Sequence, residues 1–244
     1  MPASHSKRDS LVRFIPCFAA LVLVGADRPA SAPAPFAERP KAAEGLPLIL
    51  KDDFERDDLG DWEPTDAKAW KITRSGENRV LDQHRASDYK PTVRSPFNLA
   101  FSRNVDVTDF VLDVQVHSTG RDYGHRDLCF AFGRQDASHF YYVHLGKEAD
   151  PHANSIFVVD GQPRVSIAED RTKGTPWTDG WHHVRIVRTV KDGLIQVFFD
   201  DMERPAMTAH DTRFTHGGIG LGSFDDTGQF DQIQLWGTSP ARKP

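Results

Sequence analysis

The chain has 244 residues and a net charge of −5, and it is 39% hydrophobic and 10% aromatic. This length and apolar content allow one domain with a substantial core. Acidic and basic residues are mixed along the chain, and no basic face is interleaved with aromatic residues. The composition therefore argues against a nucleic-acid-binding protein, and we expect no nucleic-acid partner.

The N-terminus has the pattern of a secretory signal peptide. Lys7, Arg8 and Arg13 precede the apolar run FIPCFAALVLVGA, which is too short to span a bilayer. The run ends in small residues suited to cleavage after Ala26, and Ala30-Ser31-Ala32 is a second option that the following Pro33 weakens. We predict a signal peptide over residues 1–26, a secreted or periplasmic protein, and no membrane contact after cleavage. The alternative is an uncleaved membrane anchor.

Removing the signal peptide leaves Cys129 as the only cysteine, so the mature protein cannot form an internal disulfide. Residues 27–47 are rich in Pro and Ala without periodicity, which predicts a flexible linker. We expect the folded domain over residues 48–237 and a short tail over residues 238–244.

Within this domain the hydrophobic pattern indicates strands and no long helix. In DFVLDVQVHS, residues 109–118, apolar residues occupy the even positions 110 to 116, while Asp113, Gln115 and His117 occupy odd ones. This period of two is that of a half-buried strand, with the polar set on the outer face. The next run, DLCFAFG, alternates in the same way.

The run HFYYVHLG, residues 139–146, is a strand with unusual polar content. Its odd positions 141 to 145 are apolar or aromatic and predict a core face, which leaves Tyr142 and His144 on the opposite face. Further along, HHVRIVRTV and LIQVFFDD are separated by Lys-Asp-Gly, a strong hairpin signal because Gly tolerates positive φ. The runs GGIGLGSF and FDQIQLWG close the domain. Many strands without crossover helices predict an antiparallel β-sandwich.

Three segments together resemble the concanavalin A-like jelly-roll superfamily, especially the laminin-G-like domains of secreted bacterial proteins. They are LKDDFERDDLGDWEP, DGWHHVRIVRTVKDGLIQVFFDD and GGIGLGSFDDTGQFDQIQLWG. The resemblance implies an all-β, two-sheet antiparallel jelly roll. The superfamily contains lectins, carbohydrate-binding modules, glycoside hydrolases and polysaccharide lyases, so it implies a glycan ligand and not one activity.

The resemblance also implies a calcium ion between the first and last strands of the domain. Asp53 lies near the start of the segment LKDDFERDDLGDWEP, and Asp231 lies in the last strand. Carboxylate oxygens are the ligands that Ca²⁺ prefers, so we expect a structural calcium site at these two residues. The alternative is that they are solvated residues capping an edge strand.

A ligand face is predicted from the polar residues of the strands. If the strands of residues 109–118 and 139–146 are neighbours, their outward polar side chains share one face, suited to sugar hydroxyls and to an acidic sugar's charge. The expected ligand is a carbohydrate, with acidic polysaccharides among the candidates. Substrate-binding residues are then expected at Asp113, Arg126, Asp127, Lys147, His152 and Asn154.

Three functions remain open at this point: glycan binding, glycan cleavage and protein adhesion, in that order. For cleavage the catalytic candidates are His144, Tyr142, His117 and Gln115. Gln115-Val116-His117 resembles the Q-[IV]-H strand of jelly-roll alginate lyases, but the companion lyase motifs are absent, as is the E-x-D-x-x-E strand of laminarinase-type hydrolases. A zinc site among the histidines has no short motif to support it.

Overall fold

The computed structural model of the protein describes residues 32–241. The predicted signal peptide and the first part of the predicted linker lie outside the described residues. Within the described range no helix is long and apolar enough to cross a membrane.

The described chain forms sixteen strands and two single-turn 3₁₀ helices, at Lys41–Ala43 and Ala67–Ala69. The strands are β1 (Leu48–Asp52), β2 (Trp62–Pro64), β3 (Trp70–Ser75), β4 (Asn78–Gln83), β5 (Asn98–Ser102), β6 (Phe110–Ser118), β7 (Cys129–Asp136), β8 (His139–His144), β9 (Ser155–Asp160), β10 (Val165–Ser166), β11 (Asp170–Arg171), β12 (His182–Thr189), β13 (Leu194–Phe199), β14 (Met207–His210), β15 (Gly218–Ser223) and β16 (Gly228–Gly237).

These strands form two sheets, and all of their pairings are antiparallel. Sheet one has the order β11-β14-β13-β12-β6-β16-β4-β3, with β1 also paired to β16. Sheet two has the order β10-β9-β8-β7-β15-β5-β2. The predicted all-β, two-sheet antiparallel sandwich is confirmed, and the Asp-Gly hairpin joins β12 to β13 with Gly193 at φ 78°.

Strand β16 joins the two ends of the domain. Its first residues pair with β4, and after a bulge between Asp231 and Gln234 its last residues pair with β1. Gln232 takes up the bulge with a φ of 50°. The expected proximity of the first and last strands is therefore observed, and Asp231 lies at the bulge between them.

The main core lies between the sheets, as the period of two predicts. One buried cluster contains the side chains at the even positions 110 to 116 of β6. It also contains those at positions 141 and 143 of β8 and at position 145, just after β8. Trp62, Trp70 and Trp177 are buried in the same cluster. The side chains between these positions point to the outer face of their sheet, because successive residues of a strand point to opposite faces.

The outside of sheet two is itself buried. A second apolar cluster there contains Phe140, Tyr142 and Phe157, and Val93 and Phe97 from the loop before β5 pack against it. This loop therefore acts as a cover over the outer face of sheet two. Tyr142 and His144 of β8, which were predicted to face solvent, are therefore buried.

The part of the predicted linker that the structure describes contacts the domain. Ala43 is fully buried against Val111 and Trp236, which are on the outer face of sheet one. Phe36 packs on His183 with ring centroids 4.4 Å apart. Apolar side chains at 36 and 43 explain why this Pro- and Ala-rich stretch lies on the sheet, where composition alone predicts a free linker.

Candidate functional site

The predicted single ligand face is wrong, because its residues belong to different sheets. Strand β6 pairs with β12 and β16 in sheet one, so Gln115 and His117 lie on the outer face of that sheet. Strand β8 pairs with β7 and β9 in sheet two, which places Tyr142 and His144 on the opposite side of the sandwich. The strand order depends on long-range pairing, which alternation does not encode.

Tyr142 is not available to stack on a sugar. It is fully buried, and its ring lies parallel to that of Phe157 at 5.1 Å. Burial raises the pKa of its hydroxyl well above the ordinary value. The prediction of Tyr142 as a solvent-facing group is therefore incorrect.

Asp113 is occupied by partners within sheet one. Its carboxylate accepts hydrogen bonds from Arg185 Nε at 2.7 Å and Nη2 at 2.8 Å, and His183 Nε2 lies 3.3 Å from its Oδ1. Burial acts to raise the pKa of Asp113, but the hydrogen bonds from Arg185 and the nearby His183 ring hold it below its ordinary value. We assign Asp113 a structural role and not the expected substrate contact.

Three of the other expected substrate-binding residues hold loops together. Arg126 is buried and donates to Ser118 O at 2.6 Å and to Thr178 O at 2.9 Å. Asn154, at φ 49°, donates through Nδ2 to Thr172 O at 2.9 Å. Lys147 pairs with the carboxylate of Asp122.

His144, Asp127 and His152, in contrast, meet in one cleft on the outer side of sheet two. This sheet-two cleft has a volume of about 260 Å³. It lies where β7 begins and where β8 and β15 end, which antiparallel pairing brings to the same edge. It is lined by Arg94, Tyr123, His125, Asp127, His144, His152, Arg164, Phe224 and Asp225.

The floor of the cleft is fixed by strand register. His144 is paired across the ladder with Cys129, which in turn faces Gly222 of β15. Asp127 lies two residues before Cys129, so its side chain points to the same face. Phe224 N donates to Asp127 Oδ2 at 2.8 Å, and Asp127 N donates to Asp226 Oδ2 at 2.9 Å.

One wall of the cleft consists of stacked cationic and aromatic groups. The Phe224 ring lies parallel to that of His144, with centroids 5.7 Å apart and an interplanar angle of 5°. The guanidinium carbon of Arg164 is 4.1 Å from the Phe224 centroid, and that of Arg94 is 5.4 Å from it. Arg164 also donates through Nη2 to His152 O at 2.9 Å.

Several buried polar atoms without a hydrogen-bond partner lie at this cleft. Among the described residues they include both ring nitrogens of His144, Oδ1 of Asp127, Nη1 of Arg164 and the hydroxyl of Tyr142 next to the floor. His144 Nε2 lies 3.3 Å from Asp127 Oδ2, but its orientation does not make a hydrogen bond. Buried polar groups in folded proteins are normally satisfied by protein or by ordered water, so these atoms are open to a water, a ligand or an ion.

Burial sets the charge state of the floor. It lowers the pKa of His144 to about 3, with the charge of Arg164 adding to the effect. Burial raises the pKa of Asp127 well above its ordinary value, and it also raises that of Asp226. At neutral pH His144 is therefore a neutral base, while the paired acids hold protons more tightly than free carboxylates do.

A second, wider groove lies on sheet one and contains Gln115. It has a volume of about 560 Å³, and Trp181, His183 and residues 32–34 contribute to it. His117 contacts the Trp181 ring at a centroid distance of 5.6 Å, and burial lowers the pKa of this histidine. Phe36 already covers His183, so this groove is partly filled by the chain itself.

At the predicted calcium position the two carboxylates differ. Asp231 is fully buried, and its Oδ2 accepts a hydrogen bond from Asn78 Nδ2 at 2.8 Å. Burial raises the pKa of Asp231 to about 6, and the charges of Asp53 and Glu55 contribute to the rise. Asp53 is exposed. In the described part of the chain the compact sets of three ligand side chains do not include either residue.

Four lining residues of the cleft are not predicted from the sequence: Arg94, Arg164, Phe224 and Asp225. Arg164 lies in the β9–β10 connection and Arg94 in the covering loop, where nothing local distinguishes a ligand-facing arginine from a solvated one. Phe224 and Asp225 follow β15 in a segment that has the composition of a turn.

No protein-family model and no curated protein matches the sequence. Solved structures do share its fold. A carbohydrate-binding module, CBM66 from Bacillus subtilis, superposes with a TM-score of 0.53 at 16% identity over 72% of this chain and 95% of the module. Domain 4 of AbnA, a GH43 extracellular arabinanase from Geobacillus stearothermophilus in complex with arabinotriose, gives 0.51 at 12% identity over 79% of this chain and 93% of that domain.

A Bacillus subtilis protein of unknown function with a galectin-like fold gives a TM-score of 0.54 at 10% identity, over 78% of this chain and 96% of that one. At such identities the likeness establishes fold and not activity. The narrower laminin-G-like assignment stays a prediction. The chain is therefore a two-sheet β-sandwich of the architecture found in carbohydrate-binding modules.

Proposed function

We propose that the protein binds a carbohydrate in the sheet-two cleft. The observation that carries this proposal is the presence of four unpartnered buried donor or acceptor atoms, from His144, Asp127 and Arg164, at one small cleft. Sugar hydroxyls donate and accept hydrogen bonds, so they suit such a mixed set. The cleft volume of about 260 Å³ favours one sugar ring or a chain end over a long chain segment.

An acidic sugar fits the wall of the cleft best. Arg94 and Arg164 both stack at Phe224, and Arg164 Nη1 has no hydrogen-bond partner. Guanidinium groups bind carboxylates and sulfates through paired, charge-assisted hydrogen bonds. The rim residues His125 and His152 are exposed and add further polar contacts.

Two further observations support a carbohydrate ligand. CBM66 is a carbohydrate-binding module by name, and the AbnA domain was solved with arabinotriose. The signal-peptide pattern over residues 1–26 fits a secreted or periplasmic protein, the location where polysaccharides are met. Both agree with the polar and cationic lining of the cleft, on which the proposal rests.

Cleavage of the bound sugar is the second candidate. Carboxyl oxygens of Asp127, Asp225 and Asp226 lie within 4.8 Å of one another. Burial raises the pKa of Asp127 and Asp226, and an acid that keeps its proton at working pH can protonate a leaving oxygen. Release of reducing ends or of unsaturated uronates by the parent protein would favour this candidate over binding alone.

The test is the affinity of the parent and two arginine variants for a panel of neutral and acidic oligosaccharides. Arg164→Gln removes a cleft cation, and we expect at least a tenfold loss of affinity for acidic oligosaccharides. Arg103→Gln is the matched control, because Arg103 is an exposed arginine 3.9 Å from Glu63 and outside the cleft. Isothermal titration calorimetry measures both.

We expect Arg103→Gln to bind as the parent does. Absence of binding by the parent to every member of the panel would contradict the proposal. So would equal affinities for the parent and a correctly folded Arg164→Gln variant.

A further inference from the structure

Three side chains of different chemistry meet at the floor of the sheet-two cleft. Asp127, Cys129 and His144 each direct one ligand atom to a common point, and these atoms all lie within 4.8 Å of one another. The first two residues are fully buried, and His144 is only 4% exposed. A carboxylate, a thiol and an imidazole together are the ligands that zinc and related divalent metals prefer.

The register of β7 and β8 explains this convergence. Cys129 and His144 are directly paired, and Asp127 precedes Cys129 by two residues on the same face. Asp127 Oδ2 lies 3.3 Å from His144 Nε2 and 3.3 Å from Cys129 Sγ. Zinc bonds of 2.0 to 2.3 Å place tetrahedral ligands about 3.3–3.7 Å apart, so the two pairs that include Asp127 already have this spacing, and the third pair lies within 4.8 Å.

The unpartnered atoms are an independent indication. Neither ring nitrogen of the buried His144 has a hydrogen-bond partner, and Asp127 Oδ1 has none either. A cluster built only for packing does not need a histidine with both nitrogens unsatisfied. Phe224 N donates to Asp127 Oδ2 at 2.8 Å, which fixes the orientation of that carboxylate.

We propose that Asp127, Cys129 and His144 bind a divalent zinc-like metal ion at the floor of the sheet-two cleft, with its fourth ligand position open to the cleft. In the metal-free protein the Cys129 thiol donates a hydrogen bond to Asp127 Oδ2. When the ion binds, the S–H bond is broken, a metal–sulfur bond forms and the thiol proton is released to solvent. A proton held by Asp127 leaves in the same step.

The surrounding charge is compatible with a cation. Asp225 and Asp226 add carboxylates beside Asp127. Their negative charge offsets the positive charge of Arg94 and Arg164. Arg164 is held over the Phe224 ring and its Nη2 is bound to His152 O. This metal site is separate from the expected calcium position at Asp53 and Asp231, which offers only oxygen ligands.

The metal proposal goes beyond carbohydrate binding and takes Asp127 and His144 as metal ligands, which leaves Arg94 and Arg164 for the sugar. Its test uses the untagged protein, reduced and treated with chelator before desalting. Titration with Co²⁺ should give one ion per chain and a thiolate-to-cobalt charge-transfer band in the near ultraviolet. Zn²⁺ should displace cobalt and abolish that band.

Three variants complete the test. Cys129→Ala should remove the charge-transfer band and weaken Co²⁺ and Zn²⁺ binding at least tenfold, and His144→Phe should weaken it similarly while keeping the stacking on Phe224. His216→Ala is the matched control, since this half-exposed histidine pairs with Asp106 on a distant loop. Absence of stoichiometric binding by the parent would overturn the proposal, as would unchanged binding by folded Cys129→Ala. Sugar binding measured on the same samples keeps the two proposals distinguishable.

Discussion

At the scale of residues, buried charges decide which polar groups are available for a ligand. Asp113 is fully buried, and two donors of Arg185 hold its carboxylate at 2.7 and 2.8 Å. Such a pair is expensive to break because the remaining charge is desolvated without compensation. It belongs to the architecture of sheet one and not to a binding site.

Replacing Arg185 by Leu should therefore destabilise the domain by about 3–5 kcal/mol, since the buried Asp113 carboxylate then loses both guanidinium donors and keeps only His183 beside it. Urea denaturation at pH 7 measures the loss. The double variant Asp113→Leu with Arg185→Leu should recover most of it, because both charges are then absent. A single variant as stable as the parent would contradict this role for the pair.

His144 should make the stability of the domain depend on pH. Burial lowers its pKa to about 3, below the ordinary value of 6.5. Its contribution is therefore fully present above pH 6.5 and is lost as the pH falls toward 3, because the unfolded chain binds the proton more tightly.

In chelator-treated, metal-free protein, stability falls between pH 7 and pH 5. We expect that fall to be about 2 kcal/mol smaller in the His144→Phe variant than in the parent. Urea denaturation at the two pH values gives this difference, and the His216→Ala variant is the control for a half-exposed histidine. Identical pH dependence in the parent and His144→Phe would show that His144 is not desolvated.

At the scale of elements, β16 holds the domain closed. It pairs with β6 along its length, with β4 before its bulge and with β1 after it. Asp231 lies at the bulge with a pKa raised to about 6, mainly by burial. A raised carboxyl pKa means stability that is present below pH 3.8 and lost as the pH rises through about 6.

Calcium at Asp231 and Asp53 would offset that loss. We expect the melting temperature at pH 7 to rise on addition of Ca²⁺, since an ion that binds only the folded state stabilises it by mass action. Asp231→Asn should abolish the rise and should also stabilise the calcium-free domain at pH 7, because the buried charge is removed. Equal melting temperatures for the parent in calcium and in chelator would exclude the site.

At the scale of the whole molecule, much of the fold was predictable and most of the site was not. The alternation in β6 and β8 identifies their core faces correctly, because burial on one side of a sheet imposes a period of two on the local sequence. Whether β6 and β8 are neighbours depends on pairing between residues far apart in the chain. That is why Gln115 and His144 were expected together and lie on opposite sides of the sandwich.

The cover over sheet two shows the same limit. Tyr142 points outward as alternation predicts, but Val93 and Phe97 lie over that face and exclude solvent from it. Arg94 and Arg164 reach the cleft from this loop and from the β9–β10 connection. Residues on loops carry no periodic signal, so their convergence becomes visible only when the chain is folded.

Nuclear magnetic resonance mapping can decide whether the sugar binds on sheet two. An isotope-labelled protein would be titrated with an acidic oligosaccharide that it binds, and the backbone and side-chain shifts followed. We expect the largest shifts at the sheet-two cleft, at His144, Arg164 and Phe224. Shifts confined to the sheet-one groove, around Gln115 and Trp181, would contradict it.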